Sequence, residues 1–151
     1  MKVEILALDY NTCGRCNGTL SNLRQVLDGW KSPWDLEVHH IATREQAIAH
    51  RLVSSPTLRV NGNDLPLPLS QSSCGDCSPG DAIVVCRSWI WEGQEYSEPP
   101  LAMLRALLQQ AAELPIAGEP QVHFELPSNL EVFFSGQGQG CCGPTPCGCQ
   151  A

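Results

Sequence analysis

The stretch LDYNTCGRCNGTLSNLRQVL, residues 8–27, places two cysteines where an apolar run ends and a helical pattern begins. The preceding residues 2–8 are apolar enough for a strand that is buried on both faces of a sheet. After the cysteines, leucines recur at helical spacing until Gly29 ends the pattern. The sequence therefore predicts that Cys13 and Cys16 lie at a strand-to-helix junction.

This junction favours thiol chemistry at Cys13. The unpaired backbone amides and the positive dipole at a helix start stabilise a thiolate, and Arg15 adds positive charge nearby. We therefore expect the pKa of Cys13 to lie below the value of about 8.5 of a free thiol. Cys16 follows one helical turn later, close enough to form a disulfide. Cys13 and Cys16 are thus candidate catalytic residues, an attacking thiol and its resolving partner, although Cys-x2-Cys is also a zinc spacing.

Further along the chain, the pattern alternates between strands and helices. Residues 36–41 predict a second strand, and Thr43 with Gln46 has the form of a capping box at the start of a short helix. The pair Asn61-Gly62 follows a β-branched run and predicts a hairpin turn between two further strands. The predicted order to this point is β-α-β-α-β-β.

Residues 65–81 interrupt this pattern. They are rich in Pro, Ser and Gly and too long for an ordinary connection, which indicates a functional loop insertion. The insertion carries Cys74 and Cys77. A strand is predicted over residues 82–91, and a last clear helix over about residues 99–113.

The element order, the Cys-x-x-Cys after the first strand and a Ser-Pro-Thr triplet before the third strand together resemble the thioredoxin-like superfamily. The resemblance covers about residues 2–113 without the insertion, and it implies an α/β fold with a thioredoxin-like mixed sheet flanked by helices. It also implies that Pro56 is cis and packs against the cysteine pair. On the same basis, Ser55, Pro56 and Thr57 are expected to contact the substrate.

More narrowly, three motifs are similar to an uncharacterised bacterial family of small thioredoxin-like proteins of unknown function. They are Thr-Cys-Gly-Arg-Cys at residues 12–16, Ser-Ser-Pro-Thr at 54–57 and Cys-Arg-Ser-Trp at 86–89. This likeness implies a fold and no activity. The dithiol itself suggests a thiol–disulfide oxidoreductase that acts on protein or small-molecule thiols and disulfides, requires no cofactor and serves in metal or metalloid stress.

Cys74, Cys77 and Cys86 form a second cysteine group in which three sulfurs could meet. Structural zinc takes four ligands in a tetrahedron, so either Cys13 or Cys16 completes the set, or three thiolates bind a softer ion. Thiolate ligands favour zinc, Cu(I), mercury and trivalent arsenic over Mg or Ca. The alternative is a relay, in which the loop pair exchanges disulfides with the first pair.

A third cysteine group lies in the tail. A Gly/Gln spacer at residues 136–140 is expected to be flexible, and it precedes CCGPTPCGC at residues 141–149, which is too short and polar to bury itself. Such a tail suits the capture of a soft metal or metalloid ion, although it could also be dispensable. Its candidate ligands are Cys141, Cys142, Cys147 and Cys149. The alternative function is therefore a thiol-based binding or carrier protein for arsenic, mercury, copper or zinc.

The expected organisation has three segments. The first is a thioredoxin-like domain over residues 1–114, which includes the insertion. The second is an extension over residues 115–135, whose Leu130 and Phe133 dock on that domain through a short helical turn. The third is the linker and Cys-rich tail over residues 136–151.

Composition limits the partners. The formal net charge of −7 argues against nucleic acid, because phosphate binding needs clustered Lys and Arg. No apolar run approaches the roughly 20 residues that cross a bilayer, and the first residues lack a secretory pattern, so we expect no membrane partner. Nine cysteines, an odd number, favour catalytic or metal-binding thiols in the reducing cytoplasm over structural disulfides.

Overall fold

The first 65 residues build a mixed sheet with two helical connections. The structure is a computed structural model that describes residues 1–65, 70–77, 84–120 and 122–137. The elements of this part follow the predicted order β-α-β-α-β-β: they are β1 (Lys2–Ala7), α1 (Gly14–Asp28), β2 (Asp35–His40), α2 (Arg44–Ala49), β3 (Thr57–Val60) and β4 (Asn63–Leu65).

The sheet has the strand order β2-β1-β3-β4. Strand β1 runs parallel to β2 and antiparallel to β3, with Ile5 opposite Leu58, and β3 and β4 form a hairpin. The hairpin turns at Asn61 and Gly62, both of which have positive φ, as the Asn-Gly signal predicts. The four apolar residues of β1 are fully buried, which confirms a strand covered on both faces.

A second, antiparallel sheet follows, and its first strand lies within the predicted insertion over residues 65–81. Its strands are β5 (Ser70–Cys74), β6 (Val84–Trp91) and β7 (Gln94–Tyr96), in the order β5-β6-β7. The expected loop therefore contains a strand, with Cys74 paired opposite Val84. The sequence of β5 is almost wholly polar, and its strand conformation depends on hydrogen bonds to the apolar β6.

Two helices complete the described chain. Helix α3 (Leu101–Ala112) packs on α1, and Leu104 and Leu108 are fully buried. Helix α4 (Ser128–Gln137) is longer than the predicted turn and packs on β6, where the Asn129 amide donates to the carbonyl oxygen of Val85 at 3.3 Å. No helix within the described ranges is long and apolar enough to span a membrane.

The buried residues form two clusters. One contains α1, α3 and Trp89 around one face of the first sheet. The other contains the five cysteines of the described chain together with Leu130 and Phe133 of α4. Helix α4 thus covers the part of the interior in which the sulfurs lie, while the tail cysteines Cys141, Cys142, Cys147 and Cys149 lie outside the described residues.

Candidate metal centre

Cys13 occupies the strand-to-helix junction, as predicted. It is the N-cap residue of α1, and its carbonyl oxygen accepts the N–H of Asn17 at 3.0 Å. The chain before it is organised by Asp9, whose carboxylate accepts from the hydroxyl of Thr12 and from the amides of Thr12 and Asn11. These hydrogen bonds, that of the Thr12 hydroxyl above all, lower the pKa of Asp9. The loop therefore delivers Cys13 to a defined position.

Four cysteine sulfurs meet at this position. The Sγ atoms of Cys13, Cys74, Cys77 and Cys86 all lie within 4.8 Å of one another, and all four residues are buried. Cys13 and Cys74 are 3.9 Å apart. A tetrahedral zinc ion with Zn–S bonds of about 2.3 Å requires sulfurs separated by about 3.8 Å. The cluster therefore has the composition and approximate spacing of a four-thiolate metal centre and could hold a metal ion.

Three elements and one turn supply these sulfurs. Cys13 begins α1, Cys74 ends β5, Cys77 lies in the turn that follows β5, and Cys86 lies in β6. The strand pairing of β5 with β6 sets Cys74 opposite Val84, two residues from Cys86. Strand β5, which the sequence did not predict, thus brings the second cysteine group together by pairing with β6.

Polar contacts fasten the second sheet to the start of α1. The N–H of Gly14 donates to the carboxylate of Asp76 at 3.1 Å. The guanidinium of Arg15 donates to the Ser72 hydroxyl and the Ser73 carbonyl, each at 2.7 Å, and to the Ser72 carbonyl at 3.3 Å. The sequence analysis missed the roles of Asp76 and Arg15 in positioning, because both partners are more than 50 residues away along the chain.

Cys16 lies beside the four sulfurs and is not one of them. Its Sγ lies 3.4 Å from the hydroxyl of Ser55, which also accepts the N–H of Leu8 at 3.0 Å. Of the two candidates for the fourth ligand, the structure therefore places Cys13 in the group. Of the two cysteines in the Cys-x2-Cys motif, Cys13 belongs to the four-sulfur cluster and Cys16 lies next to it.

The electrostatics make Cys13 the thiolate of the cluster. The S–H groups of Cys16, Cys77 and Cys86 donate to its sulfur, and these hydrogen bonds hold the pKa of Cys13 well below its usual range. The pKa values of the three donors are raised, chiefly because each is held protonated by its hydrogen bond to Cys13, and burial adds to the rise. The neighbouring thiols thus favour the thiolate form of Cys13.

The Ser-Pro-Thr triplet, which was expected to contact substrate, is buried and forms hydrogen bonds within the protein. The Ser55–Pro56 peptide is cis, as the resemblance implies, and Ser55, Pro56 and Thr57 are all buried. The Ser55 carbonyl accepts the N–H of Arg87 at 2.8 Å, and the Thr57 hydroxyl donates to the Ser54 carbonyl. Strand β6 therefore occupies a backbone acceptor that a substrate was expected to use, and substrate binding by this triplet stays a prediction.

On one side of the cluster, the residues next to the buried cysteines are exposed to solvent. Cys13 is only 1% exposed, so the expected attacking thiol is not presented to solvent. Its neighbours Thr12 and Gly14 are exposed, as are Gly75 and Asp76 between the two cysteines of the turn. One layer of residues thus separates the cluster from solvent there.

The sequence analysis did not predict a second group of potential metal ligands, which consists of Glu4, Glu37 and His39. Glu4 and Glu37 are paired across β1 and β2, and Nε2 of His39 lies 3.2 Å from an oxygen of each. The ammonium of Lys2 lies 3.7 Å from Glu4 and 3.3 Å from Glu37, and its single positive charge offsets part of their negative charge. The alternation of polar residues along both strands is the signal that could have placed them on one face.

Comparison with known proteins gives one match. A family model described as Domain of unknown function (DUF2703) matches residues 1–107. The matched range contains all five described cysteines and ends within α3, so that α4 and the tail lie beyond it. No curated protein and no solved structure matches the chain significantly.

Proposed function

The chain belongs to the DUF2703 family, a domain of unknown function, and we propose that it binds a thiophilic metal ion through Cys13, Cys74, Cys77 and Cys86. The observation that carries this proposal is the meeting of the four buried sulfurs within 4.8 Å. A tetrahedral ion needs four thiols to converge in this way from separate parts of the chain.

The charge of the cluster supports the same conclusion. Without an ion, one thiolate at Cys13 is stabilised by its thiol neighbours, and further ionisation would place like charges in contact inside the protein. A bound cation removes that cost, because it attracts each thiolate as the proton leaves. Metal binding is therefore expected to release protons from Cys77 and Cys86, whose pKa values are raised.

The ligand set limits the ion. An all-sulfur environment selects zinc, copper(I), mercury or arsenic over magnesium or calcium. Four protein ligands leave no open coordination position, which is typical of structural or storage sites rather than of catalytic ones. Zn(II) fits the four-sulfur tetrahedron best, and an ion that prefers three thiolates, such as As(III), would leave one cysteine aside.

Two finer proposals extend this one. In the first, the tail would capture a soft ion and pass it to the buried cluster; the tail ligands are Cys141, Cys142, Cys147 and Cys149. A short tether favours this transfer because it gives an effective concentration of about 1 mM. The chain would act in the cytoplasm, where reduced thiols predominate and can bind the ion. Together they describe a carrier for a soft metal or metalloid.

A dithiol oxidoreductase of the thioredoxin-like type is the second candidate. The element order β-α-β-α-β-β-α around the first sheet and the lowered pKa of Cys13, to which the Cys16 thiol contributes most, favour it. The burial of Cys13 and the bond from Arg87 to the Ser55 carbonyl favour metal binding instead, because a protein substrate would need access to both groups.

Metal titration of the reduced full chain tests the proposal. The four tail cysteines are first replaced by serine, giving a tail-serine protein in which the buried cluster is the site of interest. We expect native mass spectrometry to show one Zn(II) per chain, and X-ray absorption to show four sulfurs at about 2.3 Å.

Two substitutions in the tail-serine protein locate the ion. Cys77→Ser should weaken zinc binding at least about tenfold, because it removes one of four ligands. Cys16→Ser is the matched control and should bind zinc like its parent, since Cys16 lies outside the group. Unchanged affinity in Cys77→Ser would exclude the four-cysteine cluster as the site.

A further inference from the structure

Cys16, the fifth described cysteine, provides a chemical reaction by which the metal centre can release its ion. We propose, on the basis of the metal site proposed above, that a small-molecule disulfide oxidises Cys13 and Cys16 to a disulfide and that this reaction releases the bound ion. Cys16, a buried core residue outside the ligand set, would then have a chemical role as well. It would be the thiol that competes with the metal for Cys13.

Geometry places Cys16 for this role. Cys16 follows Cys13, the N-cap residue, by three positions in α1, and its buried Sγ contacts the Ser55 hydroxyl at 3.4 Å. Both cysteines belong to the first turn of α1, so their sulfurs can approach without moving a second element. The Cys74 sulfur also lies 3.9 Å from Cys13, but Cys74 belongs to β5 and would itself be bound to the ion.

Disulfide and metal exclude each other at Cys13. The thiolate is the form of cysteine that binds a metal, and a sulfur in a disulfide has lost that charge. Oxidation would leave the three sulfurs of Cys74, Cys77 and Cys86 for an ion that prefers four ligands. Reduction restores the fourth ligand, so the exchange is reversible.

The reaction balances with a disulfide as the only oxidant. The Cys13 thiolate attacks one sulfur of the small disulfide RSSR, forms a mixed disulfide and expels RS⁻. Cys16 then attacks the Cys13 sulfur, and its proton leaves with the second RS group as RSH. The two cysteines lose two electrons, RSSR gains two, and the ion leaves with its charge unchanged.

The residues that surround the cluster limit the size of the disulfide that can reach Cys13. Thr12 and Gly14, the chain neighbours of Cys13, are both exposed, so the sulfur lies close to the surface of the described chain. A protein disulfide would need an extended segment at the Ser55 carbonyl, which already accepts the N–H of Arg87. The structure therefore favours a low-molecular-weight disulfide such as that of glutathione.

A redox titration of the zinc-loaded tail-serine protein tests this inference. The protein is equilibrated in buffers of oxidised and reduced glutathione, zinc release is followed with a chromophoric chelator, and the disulfide is located by peptide mass spectrometry. We expect one zinc to leave per chain as a Cys13–Cys16 disulfide forms. Cys16→Ser and Cys16→Ala should need at least about a tenfold higher ratio of oxidised to reduced glutathione, because a mixed disulfide lacks an internal partner and is readily reversed.

The outcomes separate the two proposals. Normal zinc binding with an unchanged redox midpoint in both Cys16 variants would overturn this inference and leave the metal site intact. A wild-type disulfide at Cys74, or loss of zinc binding in both Cys16 variants, would overturn it as well. Failure of the tail-serine protein to bind zinc before glutathione is added would overturn the proposed metal site, and this inference with it.

Discussion

The carboxylate of Asp76 accepts a hydrogen bond from the backbone N–H of Gly14 at 3.1 Å, across 62 residues of sequence. Gly14 follows Cys13 directly, and Asp76 precedes Cys77. The bond therefore joins the residues next to two sulfurs of the cluster, and it restricts how far these sulfurs can separate when no ion is bound.

Removal of this bond should weaken metal binding without unfolding the protein. Asp76 is exposed, so we expect Asp76→Ala to cost about 1 kcal/mol of binding free energy, or about fivefold in zinc affinity. Asp28→Ala, at the exposed end of α1, is the matched control. Competition with a chromophoric chelator measures both, and equal affinities in the two variants would show that the bond does not organise the site.

Arg15 should stabilise the second sheet at β5. Its guanidinium makes three hydrogen bonds to Ser72 and Ser73, which lie in β5. We expect Arg15→Ala to lower the free energy of unfolding by about 1–2 kcal/mol and to speed amide hydrogen exchange in β5. Arg24→Ala, on the exposed face of the same helix, should do neither. Similar exchange in the two variants would argue against the tether.

Metal removal should lower stability. An ion that binds only the folded chain adds about 2.7 kcal/mol to the free energy of unfolding at a free concentration of one hundred times Kd. Denaturant unfolding of the reduced tail-serine protein should therefore shift to higher denaturant with Zn(II) and return after chelation. Cys77→Ser should show little shift, and an equal shift in that variant would place the stabilising ion elsewhere.

Local signals made much of the first sheet predictable. The capping box predicted at Thr43 and Gln46 is present, with both side-chain hydrogen bonds formed. Strand β5 could not be predicted, because Ser and Gln carry little strand preference and its conformation comes from pairing with a strand ten or more residues later.

The site was predictable in part for the same reason. The spacing of Cys74, Cys77 and Cys86 indicated a shared site, and four-coordinate zinc required a further cysteine. Whether Cys13 or Cys16 supplies it depends on the first turn of α1, where the N-cap residue points to the second sheet and the residue three positions later contacts Ser55. Sequence spacing alone does not distinguish these directions.

The docking of α4 should weaken in acid. Arg44 forms an ion pair with Glu131 on α4 through three hydrogen bonds, which lower the pKa of Glu131 from the ordinary 4.5. Because the folded state favours the charged carboxylate, this contribution is complete above the ordinary pKa and is lost as pH falls through the lower folded value. Both side chains are well exposed, so the effect should be small.

Hydrogen exchange of α4, measured relative to α3, detects this change. Protection of residues 128–137 should be constant from neutral pH to about 4.5 and should decline below it. Glu131→Gln should show reduced protection at neutral pH and a weaker decline in acid, because it carries no charge to lose. Glu95→Gln, on β7, serves as the control and should follow the parent protein. A decline of equal size in Glu131→Gln would assign the acid sensitivity of α4 to other carboxylates.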